Sequence, residues 1–426
     1  MNTLEITPLD RPVDADVTVP GSKSYTNRAL LIAALGEGTT TLTGALFSDD
    51  TTYMANALRS LGIEVEEVPE KATFVVHGKG GRIPVNGAEL HIGGSGTCAR
   101  FLSAFVALGR GPYVIDGIDR MRERPIEDLL KGLRGLGVDA TSLNGTGCPP
   151  VVVNADRIPG GRTFVPGDQS SQYFTALLLI ASYAMEDIEI RVEGDLASKP
   201  YIDMTLDIMR RFGVRVTNDN YNTFRVTAGQ RYESRAYTIE PDATNATYFM
   251  AAAAITCGRV TVGGLSEDSA QGDVRFAHVL EQMGCAVSTD ASGITVSGPQ
   301  QLRGIDIDLN DMPDTAQTLW AIAPFASDPV TVTNVPVLRI HETDRIAAME
   351  TELTRLGVRV DARDDGMTVH PASQILPGQV DTYDDHRMAM SLALIGLREP
   401  GVILKDPECV NKTFPNYFDV LDTLRG

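Results

Sequence analysis

Two kinds of apolar run alternate along this chain. One kind is almost wholly apolar once under way, as in Ala251-Ala-Ala-Ala-Ile255, and begins on polar residues. Such runs open at Ser22, Ser95, Gln169, Asp242, Asp314 and Asp385. A helix apolar on most faces is a buried helix. The other kind has a helical apolar spacing that stops at a glycine, followed by strand-like residues. Its endings read Leu58-Arg-Ser-Leu-Gly62, Leu133-Arg-Gly-Leu-Gly137, Met209-Arg-Arg-Phe-Gly213, Leu280-Glu-Gln-Met-Gly284 and Leu353-Thr-Arg-Leu-Gly357. Those glycines recur at intervals of 75, 76, 71 and 73 residues, and the chain ends on a sixth such ending, Leu424-Arg-Gly426.

The pattern predicts six copies of an α/β unit, each with a buried helix, strand material, an amphipathic helix and a further strand. Six copies suit two domains of three. The sixth copy has no strand after its last glycine, while Thr3-Leu-Glu-Ile-Thr7 is a spare strand at the other end. The expected division is therefore 22–240 for one domain, and 1–21 with 241–426 for the other. The chain would cross between domains near Pro20 and near Pro241. The alternative is six unrelated α/β elements in one doubly wound sheet, which the regular glycine spacing disfavours.

Length agrees with this division, since 426 residues exceed one compact core. A hydrophobic content of 43% is that of a globular protein. The net charge of −19 argues against nucleic-acid or anionic-membrane binding. No opening run reads as a secretion signal, and no apolar run is long enough to span a bilayer. The five cysteines are scattered without metal-like pairing and the six histidines do not cluster, so a reducing, cytoplasmic setting without a metal site is expected.

The chemistry is expected at the helix starts. The first buried helix opens with Ser22-Lys23-Ser24, and carries Arg28 one turn on. Hydroxyl caps and cations at a helix N-terminus suit an anion. The amphipathic helices open near Asp49-Asp50, Arg122-Glu-Arg124-Pro125, Ser198-Lys-Pro-Tyr201, Gln271-Gly-Asp273, His341-Glu342-Thr-Asp-Arg345 and Lys412-Thr-Phe-Pro415. Pro125, Pro200 and Pro415 suit first-turn positions. If equivalent starts share a face, a cleft between the domains gathers Lys23, Arg28, Arg100, Arg124, Arg345, Arg387 and Lys412. That is a site for small polyanions, with Asp314 and Glu342 placed among the cations to move protons. Taken singly, each motif is no more than a capped helix or a surface turn; their recurrence at matching points gives them weight.

These motifs carry a resemblance. Pro20-Gly-Ser-Lys-Ser24, Gly94-Ser-Gly-Thr97, Arg122-Glu-Arg-Pro-Ile126, Ser170-Ser-Gln172, Ser198-Lys-Pro-Tyr-Ile-Asp203, Glu342-Thr-Asp-Arg345, Asp385-His-Arg-Met388 and Lys412-Thr-Phe-Pro415 resemble the 5-enolpyruvylshikimate-3-phosphate synthases, in order and over essentially the whole chain. The resemblance implies the two-domain enolpyruvyl-transferase fold, an inside-out α/β barrel of six βαβαββ-type repeats, three per domain. It implies transfer of the enolpyruvyl group of phosphoenolpyruvate to the 5-hydroxyl of shikimate 3-phosphate, by addition and then elimination of phosphate, without cofactor or metal and in a monomer. The implied shikimate 3-phosphate contacts are Lys23, Ser24, Arg28, Ser170, Ser171, Gln172, Ser198, Tyr201, Asp314 and His341. The implied phosphoenolpyruvate contacts are Lys23, Gly96, Thr97, Arg124, Gln172, Arg345, Arg387 and Lys412. Asp314 would be the base for the hydroxyl, with Glu342 and Lys23 handling the methylene proton.

Three positions depart from the family's usual residues: His341 for Lys, Val337 for Asn and Phe101 for Pro. The sister enzymes that act on UDP-N-acetylglucosamine usually carry a reactive cysteine in the first domain, and none occurs between Ala99 and Gly147 here. A catalytically silent anion-binding relative is disfavoured by the joint presence of Lys23, Asp314, Glu342 and Lys412.

Overall fold

A computed structural model describes residues 2–425. Its chain forms two compact units, one of Met1–Pro20 with Glu240–Gly426 and one of Gly21–Ile239. Gly426, the sixth helix ending read from the sequence, lies outside the described residues. Six sheets occur among the described residues, three in each unit; five are four-stranded on one plan and the sixth has three strands. In the sheet built around Arg110–Asp116, that strand lies parallel to Ala88–His91 and antiparallel to Val151–Asp156, which pairs outward with Asp139–Ser142. A buried helix connects the parallel strands and an amphipathic helix leads into the hairpin. The matching strand of another copy, Val330–Thr333, is parallel to Ile305–Asp308 and antiparallel to Gly366–Val369.

Two strands sit away from the helix that follows them in sequence. Asp14–Val17 precedes the helix Lys23–Leu35, yet pairs in parallel with Arg259–Gly263. Ala236–Thr238 precedes the helix Ala243–Thr256, yet pairs in parallel with Glu37–Thr43. Each unit thus takes the first strand of one copy from the segment that enters the other. Thr3–Ile6 lies antiparallel to Val402–Lys405 and completes a three-stranded sheet with Gly378–Val380.

The buried helices form the cores. Every residue of Gly96–Phe105 and of His386–Gly396 is buried. The glycine endings behave as the sequence pattern implies: Gly62, Gly137, Gly213, Gly284 and Gly357 have φ of 84°, 85°, 91°, 103° and 80°, the left-handed turn that stops a helix. Some starts differ from the sequence reading. Ser170, not Gln169, caps Ser171–Ala181. Asp314 lies in a short 3-10 turn, Pro313–Thr315, ahead of Ala316–Ile322. Pro200 is in a first turn, but Pro125 and Pro415 precede the caps Ile126 and Asn416. Their fixed φ serves the approach to the helix rather than its first turn. No described helix is long and apolar enough to cross a membrane.

Candidate active site

In the unit Gly21–Ile239 the anchor is Arg28. It is only 2% exposed, and its side chain joins several helices. Its Nε donates to Thr205 Oγ1 at 2.9 Å, Nη1 to the Ser24 carbonyl at 3.0 Å, and Nη2 to Thr175 Oγ1 at 3.3 Å and the Tyr201 carbonyl at 3.2 Å. Phe101 lies below its guanidinium, 5.4 Å from carbon to ring centre. Burial pulls the Arg28 pKa down to about 10. Each of those hydrogen-bond acceptors is neutral, and they leave one Nη1 proton unassigned. A desolvated cation among neutral groups is poised for an anion.

The polar residues predicted around it stand on the helices that Arg28 joins. Ser22 caps Lys23–Leu35 by accepting the Tyr25 N–H, and Lys23 is that helix's first residue. Lys23 Nζ is 3.7 Å from Asp50 Oδ2, a pairing the sequence reading did not assign. Gly21 is required by close approach, because a Cβ there would fall on the Gly44 carbonyl oxygen. Ser170 accepts the Gln172 N–H at 3.2 Å, and Ser171 begins that helix. Ser198 holds a left-handed backbone, φ 55°, and its carbonyl receives the Tyr201 N–H. That conformation costs a non-glycine residue about 1–2 kcal/mol, a strain often found at binding sites.

Gly96 and Thr97 open the next helix under the cap Ser95. Arg124 is buried, and its Nη1 lies 3.5 Å from the Gly94 carbonyl. A Cβ at Gly96 would come within 2.7 Å of Arg124 Nη2 and 2.9 Å of Arg100 Nη1. Glycine at this position lets two guanidinium groups lie against the helix start. Arg100 is fixed there by the Pro125 carbonyl at 2.7 Å, which Tyr173 also donates to.

The unit of Met1–Pro20 and Glu240–Gly426 holds a dense charge cluster. Arg345, 1% exposed, donates from Nε to Asp385 Oδ2 at 2.7 Å, from Nη1 to Asp314 Oδ1 at 2.8 Å and from Nη2 to Glu342 Oε2 at 2.9 Å. Arg387 Nη2 donates to the other Asp314 oxygen at 2.9 Å. Lys412 Nζ reaches Glu342 Oε1 at 3.0 Å. Burial pulls the Arg345 pKa down, but Asp385, Glu342 and Asp314 together hold it above the ordinary arginine value. His341 Nδ1 accepts from Arg345 Nη1 at 2.9 Å and lies 3.7 Å from Asp314 Oδ1. Arginine can only donate, so Nδ1 carries no proton in this arrangement.

Asp314, His341, Glu342, Arg345, Arg387 and Lys412 therefore come together. Lys412 does so from the end of a 3-10 turn, Pro407–Lys412, rather than from an α-helix start. Sequence reasoning missed Asp385 as the buried partner of Arg345, forty residues away, although its place at a matching helix start was a signal. It also left Asp273 without a role. That carboxyl is buried, its Oδ2 accepts a short bond from Thr244, and its Oδ1 has no hydrogen-bond partner among the described residues. Among the described residues one group has metal-like closeness, Glu64, Glu66 and His77, on an exposed hairpin where His77 already bonds Thr39 and Glu66.

Residues 9–421 match the family described as EPSP synthase (3-phosphoshikimate 1-carboxyvinyltransferase). A 3-phosphoshikimate 1-carboxyvinyltransferase of Nostoc sp. is 51% identical over 418 residues, covering 98% of this chain and 98% of the relative. The chloroplastic 3-phosphoshikimate 1-carboxyvinyltransferase of Arabidopsis thaliana is 46% identical over 432 residues, covering 97% of this chain and 83% of the relative. A solved EPSP synthase from Acinetobacter baumannii superposes with a TM-score of 0.83 at 25% identity, covering 99% of this chain and 98% of that one.

Proposed function

The chain belongs to the EPSP synthase family, and from that membership we propose how its own residues divide the work. Its reaction transfers the enolpyruvyl group of phosphoenolpyruvate to the 5-hydroxyl of shikimate 3-phosphate and releases phosphate. The hydroxyl oxygen bonds C2 of phosphoenolpyruvate, its proton goes to a base, and C3 gains a proton. The tetrahedral adduct then loses a C3 proton and phosphate, restoring the double bond.

Asp314 is the base for the 5-hydroxyl. The observation that carries this role is that both of its oxygens receive guanidinium N–H groups, from Arg345 and from Arg387. Held so, the carboxylate stays ionised but weakly basic. Phosphoenolpyruvate brings a carboxylate and a phosphate that compete for Arg345, Arg387 and Lys412. Each guanidinium it draws off leaves Asp314 more basic, so arrival of the donor substrate prepares the base. Glu342, which Arg345 and Lys412 also hold, is released by the same competition and exchanges the methylene proton with Lys23 as the second candidate.

The unit Gly21–Ile239 supplies the remaining contacts. Ser170, Ser171 and Gln172 offer hydroxyl and amide donors to the phosphate of shikimate 3-phosphate. Lys23, Ser24, Arg28, Ser198 and Tyr201 take the rest of that ligand, with Arg28 fixing the Ser24 and Tyr201 backbones. Gly96, Thr97 and Arg124 take phosphoenolpyruvate, with Lys23 and Gln172 serving both. His341 meets shikimate 3-phosphate through the ring edge that Arg345 does not use. We take the working form to be a cytoplasmic monomer; five free thiols accord with a reducing compartment.

The test is phosphate release from phosphoenolpyruvate with no acceptor, with shikimate 3-phosphate and with UDP-N-acetylglucosamine. Release only with shikimate 3-phosphate is expected. Release with the UDP-sugar, or none with shikimate 3-phosphate, overturns the reading.

A further inference from the structure

The unit Gly21–Ile239 has a second concave region, with residues different from those above. It is a basin of about 870 Å³ whose wall, among the described residues, holds five cations, Lys79, Arg82, Arg110, Arg157 and Arg231, and no acidic residue. In the whole chain acidic residues outnumber basic ones by 56 to 37. A wall of five bases and no acid runs against that composition. The cations also come from separated segments: the last residue of Thr73–Lys79 and the turn after it, the first residue of Arg110–Asp116, the loop after Val151–Asp156, and the stretch before Ala236–Thr238.

Cations near helix C-termini have an ordinary use, because they offset the negative end of the helix dipole. Two buried helices do end here. Leu35, the last residue of Lys23–Leu35, accepts a hydrogen bond from Tyr183, and Ser182 caps Ser171–Ala181. Arg231 fits the ordinary use: it donates to the Ser182 carbonyl and lies over the Tyr183 ring at 4.6 Å. The other four do not. Among the described residues, the side chains of Lys79, Arg82, Arg110 and Arg157 make no hydrogen bond or ion pair. Glu37 faces Lys79 across their strand pair, and no ion pair joins them. Four like charges kept together without internal partners repel one another; Glu37, beside Gly80, is one carboxylate near them.

The basin is also shaped rather than open by accident. Gly80 and Gly81 have φ of 61° and 82°, so the turn between Lys79 and Arg82 is left-handed twice in succession. A Cβ on Gly81 would collide with the Tyr183 ring. Glycine there lets the cationic turn lie directly on that ring.

We propose that this basin binds a small polyanion carrying several phosphate or carboxylate groups, apart from the substrate contacts. Four cations that can close on one ligand, with a rigid aromatic floor, match a compact oligoanion rather than a single charge. The helix ending at the basin begins with Lys23, about 20 Å away by its 13 residues, so occupancy leaves the catalytic contacts uncovered.

The experiment is calorimetric titration with tripolyphosphate, and separately with citrate, in the presence of saturating shikimate 3-phosphate. The two probes tell phosphate from carboxylate recognition. The comparison protein carries Arg82→Gln, Arg110→Gln and Arg157→Gln, all exposed residues without internal bonds. At least one probe is expected to bind the wild type at one site, and to bind the triple variant about tenfold more weakly. The kcat and KM values for the transfer reaction are expected to be unchanged, which shows that the variant is folded. Failure of both probes to bind the wild type, or equal binding to the two proteins, overturns the proposal.

Discussion

The guanidinium of Arg28 rests on the ring of Phe101, 5.4 Å from its centre, and both side chains are buried. A phenylalanine is unusual at this position by the family resemblance. The contact faces the cation proposed for shikimate 3-phosphate. A desolvated cation–π pair contributes about 2 kcal/mol, and it offsets part of the cost of burying Arg28.

Phe101→Leu therefore acts through Arg28. The variant is expected to lose about 2–3 kcal/mol of stability in urea titration, from the lost pair and the smaller side chain. Its KM for shikimate 3-phosphate should rise several-fold while that for phosphoenolpyruvate moves little. A larger change in the phosphoenolpyruvate KM would show that the ring acts on the Gly96 end of its helix.

Gly96→Ala tests the neighbouring arrangement. The added Cβ meets the ends of flexible side chains, Arg124 Nη2 and Arg100 Nη1, rather than backbone. The fold can yield by moving those guanidinium groups, so the melting temperature should shift by only a few degrees. Arg124 must leave its place, and the KM for phosphoenolpyruvate should rise about tenfold or more through loss of a charge-assisted contact. Unchanged phosphoenolpyruvate kinetics would mean that Arg124 does not hold that substrate.

Asp314→Asn separates base from binding. The amide cannot accept the hydroxyl proton, so kcat should fall by about 10²–10⁴. Loss of its negative charge weakens the hold on Arg345 and Arg387, which then compete less with an incoming anion. Phosphoenolpyruvate should bind at least as tightly as to the wild type when followed by calorimetry. Loss of binding in step with kcat would make Asp314 a structural clamp and return the base role to Glu342.

Much of this was legible in the residues, because repeated helix endings impose a repeated backbone need. Gly62, Gly137, Gly213, Gly284 and Gly357 all take the left-handed turn implied by an apolar pattern that stops at glycine. The polar starts were legible through their caps, Ser22, Ser95, Asp242 and Asp385. The pairing partners of Asp14–Val17 and Ala236–Thr238 were not. Short strands look alike in sequence, and their partners are chosen by packing. Nor could the sequence tell a cation waiting for substrate from one already held. Arg345 and Arg28 both read as anion contacts, yet Arg345 lies among three carboxylates and Arg28 among neutral groups. Asp314 and Asp385 for Arg345, and Thr175, Tyr201 and Thr205 for Arg28, come from distant parts of the chain. The burial of Asp273 was hidden in the same way, behind an exposed-looking Gln-Gly-Asp turn.

Asp273 yields the clearest pH signature. Burial raises its pKa to about 7, and repulsion from Asp314 and Asp242 adds to this, while the bond from Thr244 and the charge of Arg387 oppose it. In the unfolded chain an aspartate titrates near 3.9. Between those values the folded protein holds a proton that the unfolded chain has released. Folding stability from this group is therefore fully present below about pH 4 and falls as pH rises towards about 7. Asp273→Asn keeps an oxygen for Thr244 and has no charge to bury. Against the wild type it should be near-neutral at pH 4 and stabilising by up to a few kcal/mol at pH 8. Urea titrations of both proteins at several pH values give the difference directly, with titration of the remaining groups cancelling between them. Parallel stability curves would show that Asp273 is ionised throughout, and that Thr244 and Arg387 suffice to hold a carboxylate there.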